Sequence, residues 1–241
     1  MKNEIHHSMA TMRHFGDMRG RYYRNVPRVL LEVVVQTVDA ACAAGRSGAA
    51  RLELCVDLVS GGTTPPSSLT REVVAAVDLP VFVMIRPRAG SFVYSANERD
   101  VMARQIDEAM TCGAAGVVLG VLQPDHRVDV PGTRTLIARA GGRPVTFHRA
   151  FDQTPDLDAA LDDLIAAGAA RVLTSGGAAG ALAGSARLAA LVRRAGDRIV
   201  VLAGGGVRAH NVAQIVRSTG VREVHLRFED EARTRQMVDL L

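Results

Sequence analysis

The chain has 241 residues, 48% of them hydrophobic and 22% charged, enough for one sizeable core in a single large α/β domain or two small ones. The formal charge of +4 comes from arginines scattered among acidic residues, with no basic run interleaved with aromatics, which argues against a nucleic-acid partner. No apolar run nears the roughly 20 residues that cross a bilayer, and "MKNEIHHSMATMRHFG" lacks the apolar core of a signal peptide, which excludes a membrane role and makes a cytoplasmic location the expectation.

A polar extension occupies residues 1–27, and residues 28–241 read as a single domain with no linker to divide it. From there, β-rich apolar runs alternate with alanine-rich stretches at helical period. The predicted strands are Val29–Val35, Arg51–Cys55, Val81–Arg86, Gly116–Val121, Val145–Arg149, Arg171–Thr174, Ile199–Ala203 and Glu223–Arg227. Between and after them, helices are predicted near Val38–Arg46, Ser67–Val77, Ala96–Cys112, Gly132–Ala140, Leu157–Ala167, Ala181–Ala195, Ala209–Arg217 and Asp230–Leu241. Eight alternating units in this length match a closed (β/α)8 TIM-type barrel better than an open doubly wound sheet.

In such a barrel one face of each strand meets the helices and the other faces the interior, with functional groups at the C-terminal ends of the strands. Period-two alternation sends Leu31, Val33 and Val35 outward and Glu32 and Val34 inward; likewise Glu53 and Cys55, Phe82, Met84 and Arg86, and Thr146 and His148 point inward. The last strand adds His225 and, at its end, Arg227. Buried carboxylates need partners, and Arg86 is a candidate for Glu32 or Glu53. Catalytic groups are therefore expected among Glu32, Glu53, Arg86 and His148, with Arg88, Arg149, Asp152 and His225 around a ligand. Arg149 and Asp152 have the alternative of pairing with each other. Two glycine-rich loops, Thr174-Ser175-Gly176-Gly177 and Ala203-Gly204-Gly205-Gly206, suit close backbone approach to a phosphate or carboxylate. The only lysine is Lys2, which rules out a Schiff-base cofactor in the core.

The segments "LELC", "MIRPRAGSFVYS", "TFHRAFD", "LTSGG" and "GGGV", in this order from about Leu31 to His225, strongly resemble the CutC family of copper homeostasis proteins. The resemblance implies a (β/α)8-type barrel, a cytosolic protein and a role in handling copper(I) through cysteine, with no reaction attached. It also exposes departures. The family's first strand reads L-E-V-C-V-D-S, where this chain has Leu31-Glu-Val-Val-Val-Gln-Thr37, so Val34 replaces one cysteine and Cys55 is left as the candidate metal ligand. Soft Cu(I) favours two or three thiolate or thioether donors, which Met84 or a histidine would have to supply. Cys42 and Cys112 fall on predicted helices outside the barrel, and His6, His7 and His14 lie in the extension. Family members also follow strand eight with H-G-S-A and a long loop, whereas "VHLRFEDEARTRQ" runs almost directly into the last helix.

Three roles are compatible with these residues: a copper-binding protein, an enzyme or degenerate enzyme acting on a small anionic metabolite, phosphorylated or not, and a non-catalytic scaffold whose polar interior is structural. Converging His, Glu and Arg favour the second. A homo-oligomer is compatible with all three.

Overall fold

A computed structural model describes residues 29–241; the polar extension and its histidines lie outside the described residues. The elements are β1 (Leu30–Val35), α1 (Val38–Arg46), β2 (Arg51–Leu54), α2 (Ser67–Ala76), β3 (Val81–Met84), α3 (Ala96–Thr111), β4 (Gly116–Leu119), α4 (Val130–Arg139), β5 (Val145–Phe147), α5 (Leu157–Ala167), β6 (Arg171–Thr174), α6 (Ser185–Ala195), β7 (Val200–Ala203), α7 (Val212–Thr219), β8 (Glu223–Arg227) and α8 (Glu231–Asp239). The eight strands pair in sequence order, all parallel, and β8 closes on β1. No helix among the described residues is long and apolar enough to cross a membrane.

Local chemistry sets the element ends. Ser95 and Glu98 form a reciprocal capping box at the start of α3, and Asp156 caps α5, satisfying amides that the first turn leaves without partners. Three helix starts differ from the sequence expectation. Asp129 accepts from Gly132 N and Pro131 sits in the first turn, so α4 begins at Val130. Residues 181–184, expected in α6, instead form a turn that packs on the barrel: Ala181 N donates to Gly205 O, and a Cβ on Gly184 would sit 1.8 Å from Ser175 O. Asn211 Oδ1 accepts from Arg208 N, which holds residues 208–211 in a turn and delays α7 to Val212.

The predicted alternation holds, and it divides the apolar side chains into two clusters. Leu31, Val33, Val35, Leu52, Leu54, Val83, Val117, Phe147, Val172, Val201 and Val224 belong to the continuous core between strands and helices. Val34, Cys55, Phe82, Met84 and Val118 form a separate cluster inside the barrel.

The N-terminal half of the interior is filled by charge. Arg51 donates through Nε to Glu32 and through Nη2 to Glu223 at 2.5 Å, and Arg171 Nε reaches Glu223 at 3.1 Å. Both guanidinium groups lie over the Phe82 ring, 5.2 and 5.1 Å from its centre. Phe82 fits there because β4 starts with Gly116; a Cβ at that position would lie 2.7 Å from the ring. A buried ion network of this kind gives little net stability over an apolar filling, but losing one member strands the others and costs several kcal/mol. It closes the bottom of the barrel and leaves the C-terminal mouth as the accessible end.

Candidate functional site

Above the charged floor, β1, β2 and β8 bring together Glu32, Glu53 and His225. Glu32 lies opposite His225 in the β1–β8 ladder, and Val34 lies opposite Glu53 in the β1–β2 ladder, so the three polar side chains enter the barrel side by side. Glu32 is fully committed: Oε2 accepts from Arg51 and Oε1 pairs with His225 Nδ1 at 2.8 Å. Burial alone would raise its pKa, but Arg51 and His225 outweigh that and hold it at about 2, a permanent anion.

Glu53 is the opposite case. Its side chain is buried, and Oε2 has no hydrogen-bond partner. Burial, with a further push from Glu32 and a counter-pull from His225 and Arg51, raises its pKa to about 7. Burial opposes charge on His225 as well, yet the neighbouring Glu53 and Glu32 raise its pKa above the ordinary histidine value. The cluster therefore contains one fixed anion, one carboxyl poised between its two forms at neutral pH, and one imidazole whose pKa the adjacent carboxylates raise. Its ligand atoms lie within 4.8 Å of one another, close enough to suggest a metal site. Both Glu32 oxygens are already bonded, however, so the arrangement is better suited to carrying protons.

Several residues singled out from the sequence do other work. Arg86 pairs with neither glutamate. Its guanidinium donates to the carbonyls of Ser60, Gly62 and Gly90 at 3.0, 2.9 and 3.2 Å and lies over Phe92, clipping the loops after β2 and β3 together. Arg88 is occupied by Glu98, the capping residue of α3, at 2.5 Å and by the Ser91 and Val93 carbonyls, so it braces a loop. His148 does project from the end of β5, but Nδ1 accepts from Ala150 N and the ring packs on Phe92. Burial and the nearby Arg86 charge push its pKa down to about 3, so it is neutral at physiological pH and a poor general base.

The two glycine loops also part ways. Asp152 fills the first from within: it accepts from Thr174 Oγ1 at 2.5 Å, Ser175 N at 3.1 Å, Ser175 Oγ at 3.0 Å and Gly177 N at 3.0 Å. Gly176 N turns to Thr174 Oγ1. Arg149, as the alternative reading expected, pairs with Asp152 at 2.8 Å and donates to Ser175 Oγ. The amide cradle after β6 thus holds the protein's own carboxylate. In the second loop Gly204 N is bonded to Thr174 O, and Gly205 and Gly206 take positive φ values of 93° and 67°; Gly205 lies against Ser175 and the Arg149 guanidinium, while Gly206 is exposed with nothing beside it.

Cys55 lies above Glu53, fully buried. Burial and the Glu53 charge push its thiol pKa up to about 12. Its nearest soft neighbour is Met84; the thiol sulfur and the Met84 methyl lie 3.3 and 3.7 Å from the point a Gly62 Cβ would occupy. With Val34 beside them, one thiol and one thioether reach only the lower end of the donor number Cu(I) favours, and burial keeps the thiol protonated where a copper ligand would be a thiolate.

The sequence reading missed Arg51, Arg171 and Glu223. The signal was present: the alternation that puts Glu53 and His225 inward also puts Arg51 and Glu223 inward, two residues earlier on the same strands.

The CutC family profile matches residues 29–230. The chain belongs to the CutC family. A family protein named CutC from Caulobacter vibrioides (strain NA1000 / CB15N) is 47% identical over 201 residues, covering 83% of this chain and 82% of that protein. The mouse copper homeostasis protein cutC homolog is 45% identical over 196 residues, 81% of this chain and 72% of that one. The crystal structure of CutC from Streptococcus agalactiae superposes with a TM-score of 0.79 at 33% identity, covering 82% of this chain and 97% of the other. Thiamine phosphate pyrophosphorylase of Pyrococcus furiosus, at TM-score 0.60 and 16% identity, shares the barrel fold alone.

Proposed function

We propose that this CutC-family barrel is a proton-transfer enzyme acting on a small anionic metabolite in the cytosol, with Glu53 and His225 as its acid–base pair. The observation that carries the reading is the buried Glu53 oxygen with no partner, set beside an imidazole whose other side is tied to a fixed carboxylate. A carboxyl poised near neutrality accepts and returns a proton with little penalty in either direction. The Glu32–His225 bond orients the imidazole and favours its charged form, so His225 stabilises negative charge developing on the substrate. The free state of Cys42, Cys55 and Cys112 fits a reducing compartment.

The test is solvent exchange. Pools of small carboxylated and phosphorylated metabolites are incubated with the protein in D2O, and loss of C–H signals is followed by NMR. Wild type is expected to exchange one class of substrate, while Glu53→Gln and His225→Gln slow that exchange at least a hundredfold. Exchange at the wild-type rate in Glu53→Gln, or none with any pool, rejects the proposal.

Copper handling by Cys55 and Met84 is the second reading, and it rests on the name of the mouse relative. A Cu(I) competition titration decides it: equal affinity in wild type and Cys55→Ser removes it.

A further inference from the structure

The β8–α8 connection is short, and the space beside it is open. A cavity of about 370 Å³ lies there, between the ends of β7 and β8 and the flank of α8. Its floor is apolar, from Val207, Leu226 and Met237, and its walls carry Arg208, Arg227, Arg233 and His210 against a single carboxylate, Glu229. Glu229 bridges Arg208, at 3.3 Å, and Arg233, holding both guanidinium groups at the wall; on its outer side Arg233 also meets Asp230 at 3.5 Å. Arg227 is different: among the described residues its guanidinium has no ion pair or side-chain hydrogen bond, although it stands where β8 ends.

We propose that this cavity is a phosphate-ester site that holds the anionic end of the substrate. Three arginines around one carboxylate leave a surplus of positive charge, guanidinium groups suit phosphate oxygens, and the apolar floor suits the organic part of an ester. The volume falls within the range of small-molecule sites. Position connects it to the reaction centre. Arg227 lies opposite Val34 in the β8–β1 ladder, and Val34 lies opposite Glu53 in the β1–β2 ladder, so two strand spacings, about 10 Å, separate Arg227 from Glu53. The cavity floor itself belongs to the core between strands and helices, so Arg227, at the end of β8, is its link to the barrel mouth. The N-terminal segment does not suit the cavity as an internal occupant, because residues 1–28 carry six basic residues against two acidic ones.

The substrate class rests on the proton-transfer reading, but the site itself can be tested without it. Inorganic phosphate and phenyl phosphate are titrated calorimetrically into the full chain at low salt. Wild type is expected to bind both, phenyl phosphate more tightly because its ring covers the apolar floor. Arg227→Met should weaken both at least tenfold, with an unchanged urea midpoint showing that the fold is intact. Arg134→Met, on the far flank of α4, should bind like wild type. No binding below about 10 mM by wild type, or equal binding by wild type and Arg227→Met, overturns the proposal. Phosphate binding lost in Arg227→Met without any exchange activity in wild type would reject the catalytic reading and leave the site standing.

Discussion

Replacing Glu53 by Gln removes a buried titration while keeping the shape of the side chain. Below pH 4.5, the ordinary glutamate value, Glu53 is protonated whether the chain is folded or not, and it contributes no pH dependence. Between 4.5 and about 7 the folded protein keeps a proton that the unfolded chain releases, so wild-type stability falls as pH rises through this window. A displacement of this size is worth at most about 3 kcal/mol, the pull of His225 and Arg51 already included, and part of it is present by pH 5. Glu53→Gln should therefore match wild type near pH 5 and exceed it near pH 8 by about 2 kcal/mol, less than that ceiling. Urea unfolding at the two pH values, followed by circular dichroism, gives the comparison. A stability difference that is the same at pH 5 and pH 8 would refute the argument, because it would mean that Glu53 ionises as freely in the barrel as in water.

Other consequences follow from the same geometry. Arg51→Met takes the guanidinium from buried Glu32 and leaves Glu223 to Arg171 alone, and should cost about 3–5 kcal/mol in urea unfolding; adding Glu32→Gln should restore part of it, and no recovery would show that the arginine acts through packing alone. Asp152→Ala empties the amide cradle after β6, so millimolar sulfate should raise the melting temperature of this variant while leaving wild type nearly unchanged; equal responses would mean the cradle collapses without its carboxylate. His148 has a folded pKa of about 3, below its ordinary value, so its burial stabilises the fold above pH 6.5 and that stability is lost as pH falls towards 3. His148→Gln should flatten this acid limb, and an unchanged acid-unfolding curve would contradict the neutral, buried ring.

Much of this protein was legible in one dimension. Strand and helix order follow from periodicity, because each strand of a closed parallel barrel must present apolar residues to helices on every second position. That rule also places Glu32, Glu53, Cys55 and His225 in the interior before any coordinates are known. The helix starts of α4, α6 and α7 were less legible, since Asp129, Gly184 and Asn211 set them through contacts specific to the turn each one sits in.

What the chain by itself could not decide is who pairs with whom. Arg86 and Arg51 both alternate inward near glutamates, but Arg51 starts β2 and lies level with Glu32 in the β1–β2 ladder, whereas Arg86 lies beyond the end of β3, among loop carbonyls. Closure of the barrel sets those heights, and with them the charges: the same carboxylate type is a fixed anion at Glu32 and poised near pH 7 at Glu53 because one meets a guanidinium and the other does not. Likewise "PVTFHRAFD" shows three ionisable residues at a strand end, but only the fold reveals that Asp152 occupies the neighbouring glycine loop and that His148 is locked neutral. Sequence determined which side chains enter the barrel; tertiary structure, through strand register and desolvation, decided which of them remain free to do chemistry.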